Sequence, residues 1–174
     1  MRIGAGLALV ALLWAAPACK QKQNTPAQNA QQAKRIPISV TMGDPRSAQQ
    51  LLSGFFDIED NAWRWTQRQF VIELGTPLGA SGRGGALQLH FTIPPVVIEK
   101  NQSVKLTAAV DGNVLPPETY TKAGDYTYKQ DVPGSLLGGD SVKVSFETEK
   151  PFQPGGADQR ELGVIALSAS LTRK

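Results

Sequence analysis

Two tryptophans flank an arginine in D-N-A-W-R-W-T-Q, residues 60–67, in a chain that has only three tryptophans. On an extended strand Trp63 and Trp65 share one face and Arg64 takes the other. Two indoles side by side either fill a core or offer a platform on which a ring stacks. Just upstream, D-I-E-D-N (residues 57–61) supplies Asp57, Glu59 and Asp60. Paired carboxylates serve glycoside hydrolysis, and clustered ones hold calcium. The spacing here is not that of a known calcium loop, so solvated acids ahead of a strand are the simpler expectation. Far along the chain, F-Q-P-G-G-A-D-Q-R-E-L-G (residues 152–163) sets Asp158 and Arg160 two apart at the entrance to the last apolar run. A guanidinium can lie on an indole while a carboxylate binds its fork. Trp65, Asp158 and Arg160 are therefore expected to cluster and tie the last strand to the W-R-W-T strand. Trp63, nearer the acids and Glu59, is expected to stay partly exposed.

Other signs of catalysis are few. His90 is the only histidine and falls on the polar face of an alternating run. Cys19 is the only cysteine, so no set of soft and imidazole ligands exists to build a zinc site, and no cofactor is implied. G-A-S-G-R-G-G (residues 79–85) lacks the Lys-Ser/Thr ending of a phosphate loop and reads as a mobile linker. There is no G-x-S-x-G nucleophile elbow.

Residues 1–18 read as a signal peptide. Arg2 gives a positive start, the run G-A-G-L-A-L-V-A-L-L-W-A-A is too short to span a bilayer comfortably, and Ala16-Pro17-Ala18 is a small-x-small cleavage signature. Residues 20–35 contain no aromatic, no β-branched apolar residue and no acid, the composition of a flexible tether. The tether carries Lys20, Lys22, Lys34 and Arg35. Setting these and Arg2 aside from the 18 basic residues leaves 13 against 15 acidic ones in residues 36–174, about −2. A nucleic-acid binder concentrates basic charge in its folded domain. This chain concentrates it beside Cys19, where anionic headgroups are the natural partner.

Residues 36–174 suffice for one domain with its own core. The pattern is β throughout. Leu87, Leu89, Phe91 and Ile93 alternate with Gln88, His90 and Thr92. Val104, Leu106, Ala108 and Val110 repeat the period and lead into the hairpin signal Asp111-Gly112. Phe70, Ile72 and Leu74 form a further inward face, as do Val142, Val144 and Phe146. The last run, L-G-V-I-A-L-S-A-S-L, is apolar on both faces, as for a central strand covered on both sides. One short helix is expected, capped by Asp44-Pro45, running through R-S-A-Q-Q-L-L-S and stopped by Gly54. The fold class is all-β: a single antiparallel β-sandwich or jelly roll, behind a signal peptide and tether.

Two resemblances add to this reading. Ala16-Pro17-Ala18-Cys19 resembles the lipobox of bacterial lipoproteins, which implies an exported protein held in the cell envelope by an acylated Cys19. Lys20 after the cysteine implies the outer membrane in a Gram-negative cell. The order G-F-x-x-x-E (Gly54, Phe55, Glu59), W-R-W-T (Trp63 to Thr66), then F-x-P with D-x-R-x-L-G (Phe152, Pro154, Asp158, Arg160, Leu162, Gly163) resembles a β-sandwich domain of bacterial envelope proteins. Similar modules accompany membrane glycosyltransferases and surface-polysaccharide proteins. This implies an accessory jelly roll like a carbohydrate-binding module, without a catalytic residue. Three functions follow as expectations: a non-catalytic lipoprotein engaging an envelope glycan or partner, a structural envelope protein making only protein contacts, and a glycosidase using the D-I-E-D-N acids.

Overall fold

A computed structural model describes residues 35–174; the expected signal peptide, Cys19 and the expected tether up to Lys34 lie outside the described residues. Ten strands follow in chain order: β1 Ser39–Thr41, β2 Leu51–Glu59, β3 Trp63–Gly75, β4 Gly85–Ile93, β5 Val104–Val110, β6 Asn113–Val114, β7 Glu118–Tyr120, β8 Gly124–Val132, β9 Ser141–Thr148 and β10 Ile165–Arg173. The main path of neighbours is β6-β5-β9-β3-β10-β4-β8, with β1 on β10, β2 on β3 and β7 on β5. Each pairing is antiparallel.

The sheet curls on itself because β3, paired with β2 along one edge, divides its other edge between two neighbours. Its N-terminal residues Arg64 and Trp65 pair with β10, while Gln69 to Gly75 pair with β9. The two halves then close over one core, the β-sandwich expected. Phe70 stacks on Phe146 with ring centroids 5.0 Å apart. Phe146 in turn meets Tyr128 of β8 edge-on at 6.2 Å. The alternating residues are where the period puts them: Leu89, Phe91, Leu106, Val144 and Phe146 are buried, and His90, Lys105 and Lys143 are exposed. Asp111 (φ 45°) and Gly112 (φ 84°) make the tight turn into β6, the left-handed pair that a two-residue hairpin demands.

Helical structure departs from the expected single segment. Asp44 does cap a helix, accepting from the Arg46 N–H, but the helix is a 3-10 turn that ends at Gln50. Leu51 already starts β2, and Gly54 sits within that strand at φ 80°. A Cβ on Gly54 would lie 2.1 Å from the Gln69 carbonyl oxygen, so this glycine permits a strand irregularity and stops no helix. G-A-S-G-R-G-G holds a helical turn, Ala80–Arg83, between two left-handed glycines, Gly79 and Gly84. Pro95–Asn101 is a further short helix, started by its N1 proline, and Gly134–Leu136 is a second 3-10 turn. The last strand begins at Ile165, and Ile165 and Leu167 are only half-buried, so its second face is less covered than the apolar run suggested.

Candidate functional site

The β2–β3 hairpin turns through Asp60 (φ 51°) and Asn61 (φ 54°), with the Ala62 N–H donating to the Glu59 carbonyl at 3.1 Å. Asp and Asn tolerate this left-handed backbone better than other side chains. Glu59 comes opposite Trp63 in register. Trp63 and Trp65 meet edge to face, 6.5 Å between centroids, and both are half-buried. Trp65 also packs against the core cluster. Arg64 turns the other way: its Nε donates to the Met42 carbonyl at 3.0 Å and Nη1 to the Phe56 carbonyl at 2.8 Å. It staples the first strand's exit to β2.

Residues 152–162 form a loop anchored at its base by buried Phe152 and Leu162, which bridge each other. Gly155 and Gly156 are both left-handed, and Gly155 bridges Asp158. This turn places Asp158 to chelate Arg160. The Arg160 N–H and Nε donate to Asp158 Oδ1 at 3.0 Å each, and Nη2 donates to Oδ2 at 2.8 Å. Below the loop, Thr66 is fully buried and holds the chain that follows. Its hydroxyl donates to the Val164 carbonyl at 3.1 Å and accepts from the Val164 N–H at 3.0 Å. Gly163 packs so closely that a Cβ there would lie 2.5 Å from Thr66 Oγ1.

Asp158 and Arg160 meet, and Glu59 joins them, with Arg160 Nη1 3.6 Å from Glu59 Oε1. The ring beneath the guanidinium is not an indole. Arg160 lies over Phe56, 5.2 Å from its centroid, and this replaces Trp65 in the expected cluster. The cause is in β2, whose register with β3 shifts between Ser53 and Phe55 and again between Phe55 and Ile58. Strict alternation would put Phe56 and Glu59 on opposite faces. The irregularity brings both to one guanidinium. Arg160, through its side-chain hydrogen bonds and then its backbone N–H, holds the Asp158 carboxyl below the usual carboxylate range. Asp158 in return pushes Arg160 further up, with a lesser contribution from Glu59.

Beside this cluster an open groove of about 650 Å³ is lined by Phe56, Gln67, Arg68, Gln69, Arg160 and Glu161. Arg68 is tied to Glu147 at 2.9 Å. Phe56, Gln67, Gln69 and Glu161 were missed by sequence reasoning. The available signal was Gln67-Arg68-Gln69, three exposed polar residues in a row inside a strand, which breaks the period of two. Asp57 and Asp60 stay exposed. Among the described residues no group of three or more His, Cys, Asp or Glu is gathered as a metal site.

Fold and site define a class: an all-antiparallel β-sandwich with a polar, aromatic-floored groove on its surface. No family model matches the chain, and no curated protein matches it. Among solved structures, the chain is similar to a family 35 carbohydrate-binding module from an environmental isolate (14% identity, 77% of this chain and 83% of that one, TM-score 0.41). It is similar too to the CBM36-1 domain of a multidomain xylanase from the hindgut metagenome of Trinervitermes trinervoides (8% identity, 76% and 94%, TM-score 0.40). A CBM4 structure matches at 11% identity over 78% and 85%, with a TM-score of 0.34. These likenesses are distant, and none assigns a ligand here.

Proposed function

We propose that the domain is a non-catalytic glycan-binding module, carried on a lipid-anchored envelope protein whose anchor is Cys19. One observation carries the reading. Phe56 and Glu59 of β2 and Asp158 and Arg160 of a distant loop converge beside an open groove walled by glutamines. Sugars suit such a surface, since aromatic faces pack on pyranose C–H groups and a few fixed polar groups orient hydroxyls. A guanidinium has five N–H donors. Asp158 takes Nε–H and one Nη2–H, and the rest are available to Glu59 and to a ligand. A glycosidase needs one carboxyl kept protonated as general acid. Asp158 is taken up by Arg160 through its side-chain hydrogen bonds, and Asp57 and Asp60 stay exposed outside the groove, which favours binding over catalysis. The packing of Trp65 against the core favours a structural role for that indole, within the same module.

The test is a glycan array probed with the mature chain carrying Cys19→Ser. Retention of one related set of glycans, lost in Phe56→Ala, is the expected result. A blank array, or equal retention by Phe56→Ala, would count against the reading.

A further inference from the structure

The chain enters the described domain at the pole opposite the candidate site. β10 starts beside Trp65 and ends beside Gly85, and the Leu171 N–H donates to the Ile38 carbonyl. Eight residues of strand separate the two ends, about 27 Å. At the entry pole, Gly75 N–H bonds to the Pro37 carbonyl, and Arg173 Nη1 reaches the Leu78 carbonyl at 3.4 Å. Leu78 itself is 72% exposed, the tip of a short apolar projection, and Ile38 is 43% exposed. Arg35, Arg83 and Arg173 are exposed at this same end. Among the described residues Arg83 and Arg173 enter no ion pair, whereas Lys174 is taken up by Asp131. The acids at this end are Asp140, whose carbonyl accepts from the Thr76 N–H, Asp131, which holds Lys174, and half-buried Glu73, which accepts from the Ser141 hydroxyl.

A bare leucine among arginines, in a domain that is acidic as a whole, is an arrangement with a use. We infer that this pole docks on an anionic bilayer, Leu78 entering the headgroup region while Arg35, Arg83 and Arg173 meet lipid phosphates. Basic residues near such a surface each add about five-fold to affinity, and one buried leucine adds apolar area. The docking builds on the anchored reading above, because the tether delivers this pole to the membrane. It needs no glycan, so the two fail separately. Its consequence is orientation: the Phe56–Arg160 groove points away from the lipid.

The probe is a polarity-sensitive fluorophore on Leu78→Cys in the Cys19→Ser mature chain, with the same label on exposed Ala157→Cys at the far pole as control. Vesicles of phosphatidylcholine with phosphatidylglycerol should shift the emission of the first label to the blue and leave the second unchanged; pure phosphatidylcholine should shift neither. Arg83→Gln with Arg173→Gln should weaken the response at least ten-fold at unchanged melting temperature. A label at position 78 that ignores anionic vesicles while the chain co-sediments with them would assign binding to the tether alone and overturn the inference. So would a blue shift that grows with protein concentration in the absence of vesicles, which would mean that a second copy covers Leu78.

Discussion

The molecule contains two Asp-x-Arg turns of nearly the same internal geometry. In Asp44-Pro45-Arg46 the backbone N–H of Arg46 meets Oδ1 at 2.9 Å and Nη2 meets Oδ2 at 2.8 Å. In Asp158-Gln159-Arg160 the values are 3.0 and 2.8 Å. In both, the arginine's side-chain hydrogen bonds hold the aspartate below its ordinary range. Yet the Arg46 side chain is 91% exposed and its recorded partner is Asp44, whereas that of Arg160 is 39% exposed and also meets Glu59 and Phe56. The short chelate is a local turn device that any surface can host. What distinguishes the second copy is delivery: a loop anchored by Phe152, Leu162 and Gly163 brings it to a second strand and to a groove.

The sharpest way to break the comparison is to cut that delivery. Thr66→Val leaves the buried Val164 N–H without its acceptor, and should cost about 1–3 kcal/mol in urea unfolding while removing ligand binding. The Asp44 turn should be untouched. Next is Phe56→Ala. It strips the ring from beneath Arg160 while leaving the chelate, and should cost about 1 kcal/mol because Phe56 is only half-buried; Trp fluorescence and the fold should persist. Smaller again is the direct pair. Arg46→Ala should leave the melting temperature unchanged, and Arg160→Ala should lower it by no more than a few degrees, since exposed ion pairs contribute little. Acid titration gives the smallest effect. A carboxyl whose folded pKa is lowered contributes stability above its unfolded pKa, about 3.9, and that stability is lost as pH falls through the lowered value. Asp44→Asn and Asp158→Asn should therefore each flatten the loss of stability below about pH 4, and to a similar degree. Unequal flattening would mean that Glu59 and Phe56 reach Asp158 as well as Arg160.

The strands of the core were legible because burial on one face writes a period of two. Leu87 to Ile93 and Val104 to Val110 show it without interruption, and both lie as expected. The pairing of Asp158 with Arg160 follows from their spacing of two, whereas the Trp65 expected beside them is replaced by Phe56 and Glu59. Phe56 was not legible. Its place under Arg160 depends on the register shifts of β2 around Gly54, and a bulge erases the alternation that sequence reading relies on. The helix at Pro95–Asn101 was hidden for another reason: only Val97 of its seven residues is fully buried, too few to write a helical period. The Leu78 pole was invisible because its meaning lies in what Ile38 and Arg173 bring beside it.

On the proposed reading the second Asp-x-Arg turn, and not the first, belongs to the ligand site. Titration calorimetry of the Cys19→Ser chain with the glycan selected on the array tests it, run side by side with Arg46→Ala and Arg160→Ala. Arg46→Ala should keep wild-type affinity and Arg160→Ala should lose at least ten-fold, with both variants folded. Equal affinity in the two variants would contradict that reading.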